Sequence, residues 1–298
     1  MTAPAAFLDP ALLARISDLA LLARTVVDGF MHGLHRSSRM GLSLDFAEHR
    51  AYQPGDDIRR IDWRVFGRTD RFYVKEFEAD TNANVSILLD VSRSMAYGSG
   101  AITKLDYARY LTACLAYFSR QQRDRVGFVA FDRDIVTMIP PSAKHLEHIL
   151  HAVSTLEPGG AGELERPLAR IAESVSRRSI LVLVSDLYAE PDRLRSAVAQ
   201  LQGKGNEVIV FQVLDPSERT FPFEEAMDVQ DLESGDRMPV VPGALRERYR
   251  ALMEQHLLTV GNVLLEQQID YCLFETSRPL DFALFEYLTR RERLSRVR

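Results

Sequence analysis

The chain has 298 residues, 46% of them hydrophobic and 27% charged. That composition suits one large core, or a core domain with a smaller attachment, and excludes a disordered chain. A formal net charge of -5 has the wrong sign for a dedicated nucleic-acid binder, whose long-range field is positive.

Residues 8–35 place apolar side chains at helical spacing (Leu12, Leu13, Ile16, Leu19, Leu22, Val26), which predicts one or two helices. Asp9, Arg15, Asp18 and Arg24 break that stretch, so it reads as neither a secretory leader nor a membrane span. Elsewhere, too, uninterrupted apolar runs stay short of the ~20 residues a membrane helix needs. Residues 36–82 differ in texture, with the turn Gln53-Pro54-Gly55-Asp56-Asp57 and short strands expected at Ile58–Trp63 and Phe72–Phe77. Trp63, Phe66, Phe72, Tyr73 and Phe77 need burial, so residues 1–82 are expected to form N-terminal helices and a small β-rich attachment.

From residue 83 to 298 the rhythm is strand, loop, helix. Buried strands are expected at Val85–Asp90, Val126–Phe131, Ile180–Ser185, Glu207–Leu214 and Asp270–Phe274. Helices are expected at Leu105–Phe118, Lys144–Leu156, Glu163–Ser176, Arg193–Gln202, Leu245–Gln267 and Leu280–Arg290. Ile135–Ile139 follows Asp132-Arg133-Asp134 too closely for a helical crossover, so it must run antiparallel to its predecessor. Val229–Val241 reads as a hairpin around Ser234-Gly235-Asp236. The fold class is therefore α/β, a mostly parallel doubly wound sheet with one antiparallel edge strand. Cys114 and Cys272, both in apolar runs, argue against a disulfide framework and fit a reduced, cytoplasmic setting.

In such sheets ligands bind at the carboxyl ends of the strands. There lie Asp90-Val91-Ser92-Arg93-Ser94, then Pro158-Gly159-Gly160-Ala161-Gly162-Glu163, then Ser185-Asp186. A carboxylate and two hydroxyls at alternate positions can turn their oxygens to one point, as Mg²⁺ asks, with Asp90 and Asp186 balancing its charge. The alternative is that Asp90, Ser92 and Ser94 cap the following turn by bonding backbone N–H groups.

Asp90-x-Ser92-x-Ser94 after a Val-Ser-Ile-Leu-Leu strand resembles the metal-ion-dependent adhesion site of von Willebrand factor A domains. Arg50-x-Tyr52-x-Pro54-Gly55-Asp56-Asp57, Arg60-Ile61-Asp62-Trp63 and Glu76-Phe77-Glu78 extend the match. With them the chain resembles the bacterial domain-of-unknown-function family 58, whose genes commonly sit beside MoxR-type AAA+ ATPases. The resemblance implies a von Willebrand A-like domain at 83–298 and a Mg²⁺ site at Asp90, Ser92, Ser94 and Asp186. It also implies a non-enzymatic protein-interaction role with a MoxR-type ATPase or its client as partner. One departure stands out: the family's loop Thr is absent, Ala161, Gly162 and Glu163 being the residues there, and Glu163 is the candidate substitute.

Other signals are weaker. Gly98-Ser-Gly100-Ala-Ile-Thr-Lys104 has the look of a phosphate loop, but Thr103 replaces its second Gly and Leu105 its Mg²⁺-binding hydroxyl. His145, His148 and His151 recur every three residues, not at the i, i+4 spacing of a zinc helix. Arg50, Arg59, Arg60, Arg64, Arg68, Arg71 and Lys75 are interleaved with Asp56, Asp57, Asp62 and Asp70, which favours an ion-pair lattice over a nucleic-acid face. A metal-dependent phosphohydrolase using Asp90 and Asp186 remains the enzymatic alternative, and a nucleic-acid binder the third.

Overall fold

The computed structural model describes residues 18–36, 49–51, 72–75, 83–232, 235–284 and 286–287. Two compact units emerge: Asp28–Asn82, and Met1–Val27 together with Ala83–Arg298. Leu22, Ala23, Val26 and Val27 are buried on one face of the helix that begins at Leu19. That helix, α1 (Leu19–Arg36), starts where the Asp18 carboxylate accepts from the N–H groups of Ala20 and Leu21.

In the smaller unit, β1 (His49–Ala51) pairs antiparallel with β2 (Tyr73–Lys75), with Arg50 opposite Val74. β2 is the core of the strand expected at Phe72–Phe77. The strand expected at Ile58–Trp63 lies outside the described residues, as do Trp63 and the arginines from Arg59 to Arg71.

The larger unit holds a six-stranded sheet. Its strands in chain order are β3 (Asn84–Asp90), β4 (Arg125–Phe131), β5 (Ile135–Ser142), β6 (Ile180–Ser185), β7 (Glu207–Leu214) and β10 (Asp270–Glu275). In space the order is β10-β7-β6-β3-β4-β5, parallel throughout except that β5 runs antiparallel to β4, as the short turn required. A β8–β9 hairpin (Met227–Gln230 and Arg237–Val240) stands apart from it.

The helices are α2 (Lys104–Gln121), α3 (Leu146–Ser154), α4 (Glu165–Ser174), α5 (Pro191–Gln202), the short α6 (Pro216–Thr220) and α7 (Pro242–Glu266). Residues 280–284 and 286–287 are helical as well. Strand residues alternate between the two faces. Leu88, Leu181, Leu183, Val208 and Val210 join one core with Leu168, Leu194, Val198 and Val260 of α4, α5 and α7. Ile87 and Leu89 are equally buried but belong to the opposite face, where α2 packs on β3 and β4. Both faces are thus covered, which explains why β3 and β6 are apolar without alternation.

At the β5 edge, Gly127 has a packing role. A Cβ there would lie 2.8 Å from the Pro141 nitrogen and 2.9 Å from the Ile139 carbonyl, and the ladder shifts register beside it. Neither Cys114, which is buried, nor Cys272 takes part in a disulfide. Among the described residues no helix is long and apolar enough to cross a membrane.

Candidate functional site

From β3 the chain proceeds to β4 and β5 on one side, then returns to place β6, β7 and β10 on the other. The order reverses between β3 and β6, and a crevice opens there at the carboxyl ends of the strands. A cleft of about 1000 Å³ occupies that position. Asp90, Ser92, Ser94, Glu163 and Asp186, the five residues expected from sequence, all line it.

Asp90 ends β3 and is 4% exposed. Its Oδ1 accepts from the Ser92 N–H at 2.9 Å and its Oδ2 from the Ser185 hydroxyl at 2.6 Å. The first bond is the turn-capping contact anticipated as the alternative to metal ligation. The serines behave differently: Ser92 precedes the 3-10 turn Arg93–Ala96 without capping it by its side chain, and its Oγ lies 3.1 Å from Ser94 Oγ. Burial, and then the charge of Asp186, push the Asp90 pKa up to about 6, against the pull of the Ser185 and Ser92 bonds.

The glycine loop is tied to the Asp90 loop through backbone. The Gly159 N–H donates to the Val91 carbonyl at 2.6 Å, and the Arg93 N–H to the Gly160 carbonyl at 3.0 Å. Asp132, after β4, accepts from the Gly160 N–H at 2.7 Å, and a side chain at Gly159 would collide with that carboxylate. Glu163 follows, half-buried on the rim.

Across the cleft the chemistry is ionic. The Thr103 side chain caps α2 in a reciprocal box with Asp106, so Lys104 is the first helical residue. Its N–H donates to the Tyr97 carbonyl at 2.8 Å, and Gly98 lies so close beneath that a Cβ would stand 2.5 Å from the Ile102 carbonyl. The Lys104 Nζ donates to Asp186 Oδ2 at 2.8 Å and to Glu218 Oε1 at 2.7 Å, with the lysine side chain 0% exposed. The same nitrogen stands 5.0 Å from the Tyr188 ring centre and 6.0 Å from that of Tyr97. Burial opposes the charge on Lys104, yet Asp186 and Glu218 hold its pKa above the ordinary lysine value. Burial raises Glu218 above its usual range despite the ammonium.

Glu218 is aimed by α6, where its Oε2 accepts from the Asp215 N–H at 2.8 Å. Asp215 in turn accepts from Ser217 N–H at 2.8 Å and from Ser99 N–H at 2.9 Å, and Tyr97 and Ser217 join hydroxyls at 2.7 Å. The loop after β3 is thereby latched to the loop after β7. Burial works against the Asp215 charge, but the Ser217 and Ser99 bonds outweigh it and hold the carboxyl below its usual range.

A hard dication asks for oxygens free to converge on it. The Ser92 and Ser94 hydroxyls line the cleft 3.1 Å apart. One Asp186 oxygen receives the lysine, and each Asp90 oxygen is already bonded within the chain. Among the described residues no three carboxylate, imidazole or thiol groups gather as a metal-binding set. This donor set does not match a resident Mg²⁺ balanced by Asp90 and Asp186.

Sequence reasoning missed Lys104, Glu218 and Tyr188 at the site, and Asp132 behind it. Lys104 carried a signal: a cation on the first turn of a helix opposes the helix dipole and calls for a reason. The resemblance of Gly98–Lys104 to a phosphate loop resolves into that reason, with carboxylates where phosphate would be. His145 bonds the Pro140 carbonyl at 2.8 Å and its ring meets that of His148 edge-on, an ordinary helix-start arrangement.

The family described as "Protein of unknown function DUF58" matches residues 48–258. Uncharacterized proteins Mb1516 of Mycobacterium bovis and Rv1480 of Mycobacterium tuberculosis are each 28% identical over 262 residues, covering 86% of this chain and 82% of their own length. Among solved structures, the conserved hypothetical protein BatB from Bacteroides thetaiotaomicron is 17% identical with a TM-score of 0.47, covering 70% of this chain and 98% of its own. The SpRpn10 VWA domain is 10% identical with a TM-score of 0.42, covering 68% and 93%.

Proposed function

This chain belongs to the DUF58 family, and from that premise we propose that it is a non-enzymatic protein-interaction module of the cytoplasm. The observation that supports this most is the strand-end cleft, whose buried polar groups are already bonded to one another. A general acid, base or nucleophile must be free to reach substrate. Lys104, Asp186, Glu218 and Asp90 are each committed within the chain.

The accessible lining instead suits recognition. Glu163, Glu165, Glu190 and Asp228 stand against Arg193, and the exposed Tyr188, Val229 and Leu232 supply apolar surface. Charge complementarity favours a partner segment presenting Lys or Arg beside an apolar anchor. The family resemblance nominates a MoxR-type AAA+ ATPase, or a client of one, as the carrier of that segment.

The test is capture of a purified MoxR-type ATPase from the same organism, comparing the wild type with the double variant Glu163→Lys/Glu190→Lys. Reversing these rim charges should abolish capture and leave the melting temperature unchanged. Equal capture by both proteins would sink the reading. Phosphoester hydrolysis that disappears in Asp90→Asn would replace it with the catalytic alternative.

A further inference from the structure

We propose that the Lys104 ammonium is the resident cation of this strand-end site, balancing Asp186 and Glu218 where the family resemblance places a divalent metal. The inference holds whichever partner the cleft takes, because it rests on groups beneath the binding surface.

The geometry is specific. Nζ lies 2.8 Å from Asp186 and 2.7 Å from Glu218, and the two carboxylate side chains are only 3% and 13% exposed. Two carboxylates facing one point out of water repel unless a cation lies between them. The ammonium fills that place with two of its three donors, and Tyr188 turns its ring toward it at 5.0 Å. A dication taking Asp186 as a ligand would have to share that carboxylate with a positive charge already bonded to it. The two cations therefore compete for one carboxylate.

The surrounding chain is built to deliver the lysine. Thr103 fixes the start of α2, Gly98 allows the loop to close beneath it, and the Lys104 N–H bonds the Tyr97 carbonyl. Glu218 is presented by a capping box of its own, and Ser99 and Tyr97 clamp that turn to the lysine's loop. Each element that holds the ammonium is thus itself held. A lysine on the first turn of a helix, unfavourable toward the helix dipole, is repaid by its carboxylates.

The experiment is thermal unfolding of the full chain in excess EDTA and in millimolar Mg²⁺, at matched ionic strength. The wild type should melt at the same temperature in both. Lys104→Met should melt several degrees lower in EDTA and recover part of the loss in Mg²⁺, since the vacated position then admits the ion. Should that variant fail to fold, the triple Lys104→Met/Asp186→Asn/Glu218→Gln removes the repulsion as well, and it should fold and ignore Mg²⁺. A wild type stabilised by Mg²⁺ would overturn the proposal. So would a Lys104→Met protein that melts like the wild type, one that folds but does not respond to Mg²⁺, or a triple variant that does not fold.

Discussion

The two sides of the cleft floor keep a carboxylate out of water by different means. On the β3 side, Asp90 is surrounded by neutral donors, a hydroxyl and a backbone N–H, and its pKa rises to about 6. On the β7 side, Asp186 and Glu218 share one ammonium. Removing one partner of a buried ion pair costs about 3–5 kcal/mol, whereas a neutral hydrogen bond contributes about 0.5–1.5 kcal/mol. The ionic side is therefore the structural keystone, and the hydroxyl side holds the carboxyl raised to about 6.

The largest expected effect tests that ranking directly. Lys104→Ala should lower stability to urea by about 3–5 kcal/mol. In a double-mutant cycle with Asp186→Asn, the pair should cost clearly less than the two singles summed. A single substitution costing less than about 1 kcal/mol would erase the contrast, since it would place the ion pair within the range of an ordinary hydrogen bond.

Next comes the pH response of Asp90. A carboxyl whose folded pKa lies above its ordinary 3.8, here at about 6, adds stability below that ordinary value and loses it as pH rises through 6. The wild type should lose up to about 3 kcal/mol from this group between pH 4 and pH 7, relative to Asp90→Asn. Unfolding curves of the two proteins that stay parallel across that range would show that Asp90 is not held as described.

Gly98→Ala should cost about 1–3 kcal/mol, because the added Cβ meets backbone that cannot turn aside. Ser92→Ala should cost about 1 kcal/mol in the same unfolding assay, the value of an ordinary neutral hydrogen bond, since its hydroxyl meets Ser94. Smallest in stability is Glu163→Ala, within about 0.5 kcal/mol, yet it should weaken partner capture, because its carboxylate is on the rim.

The sheet was readable in the sequence because its signals are local. Val85–Asp90 and Ile180–Ser185 are continuous apolar runs, and the three-residue turn before Ile135 leaves room for one strand direction only. The site was half readable for the same reason. Asp90, Ser92 and Ser94 are spaced for one another, and the end of each apolar strand pointed to Glu163 and Asp186. Lys104 and Glu218 lie 114 residues apart, and nothing near either one names the other. Glu218 also sits on α6, a turn of five residues with no apolar period to reveal it.

β5 carries a consequence for assembly. It borders the six-stranded sheet, and its last part is Pro140-Pro141, placed over Gly127. Proline offers no N–H, so this stretch of the border cannot accept a further strand from another molecule. Growth of the sheet into a fibre or a strand-swapped pair is hindered there, because the Pro141 nitrogen faces Gly127 and the Pro140 nitrogen stands where an outward N–H would be.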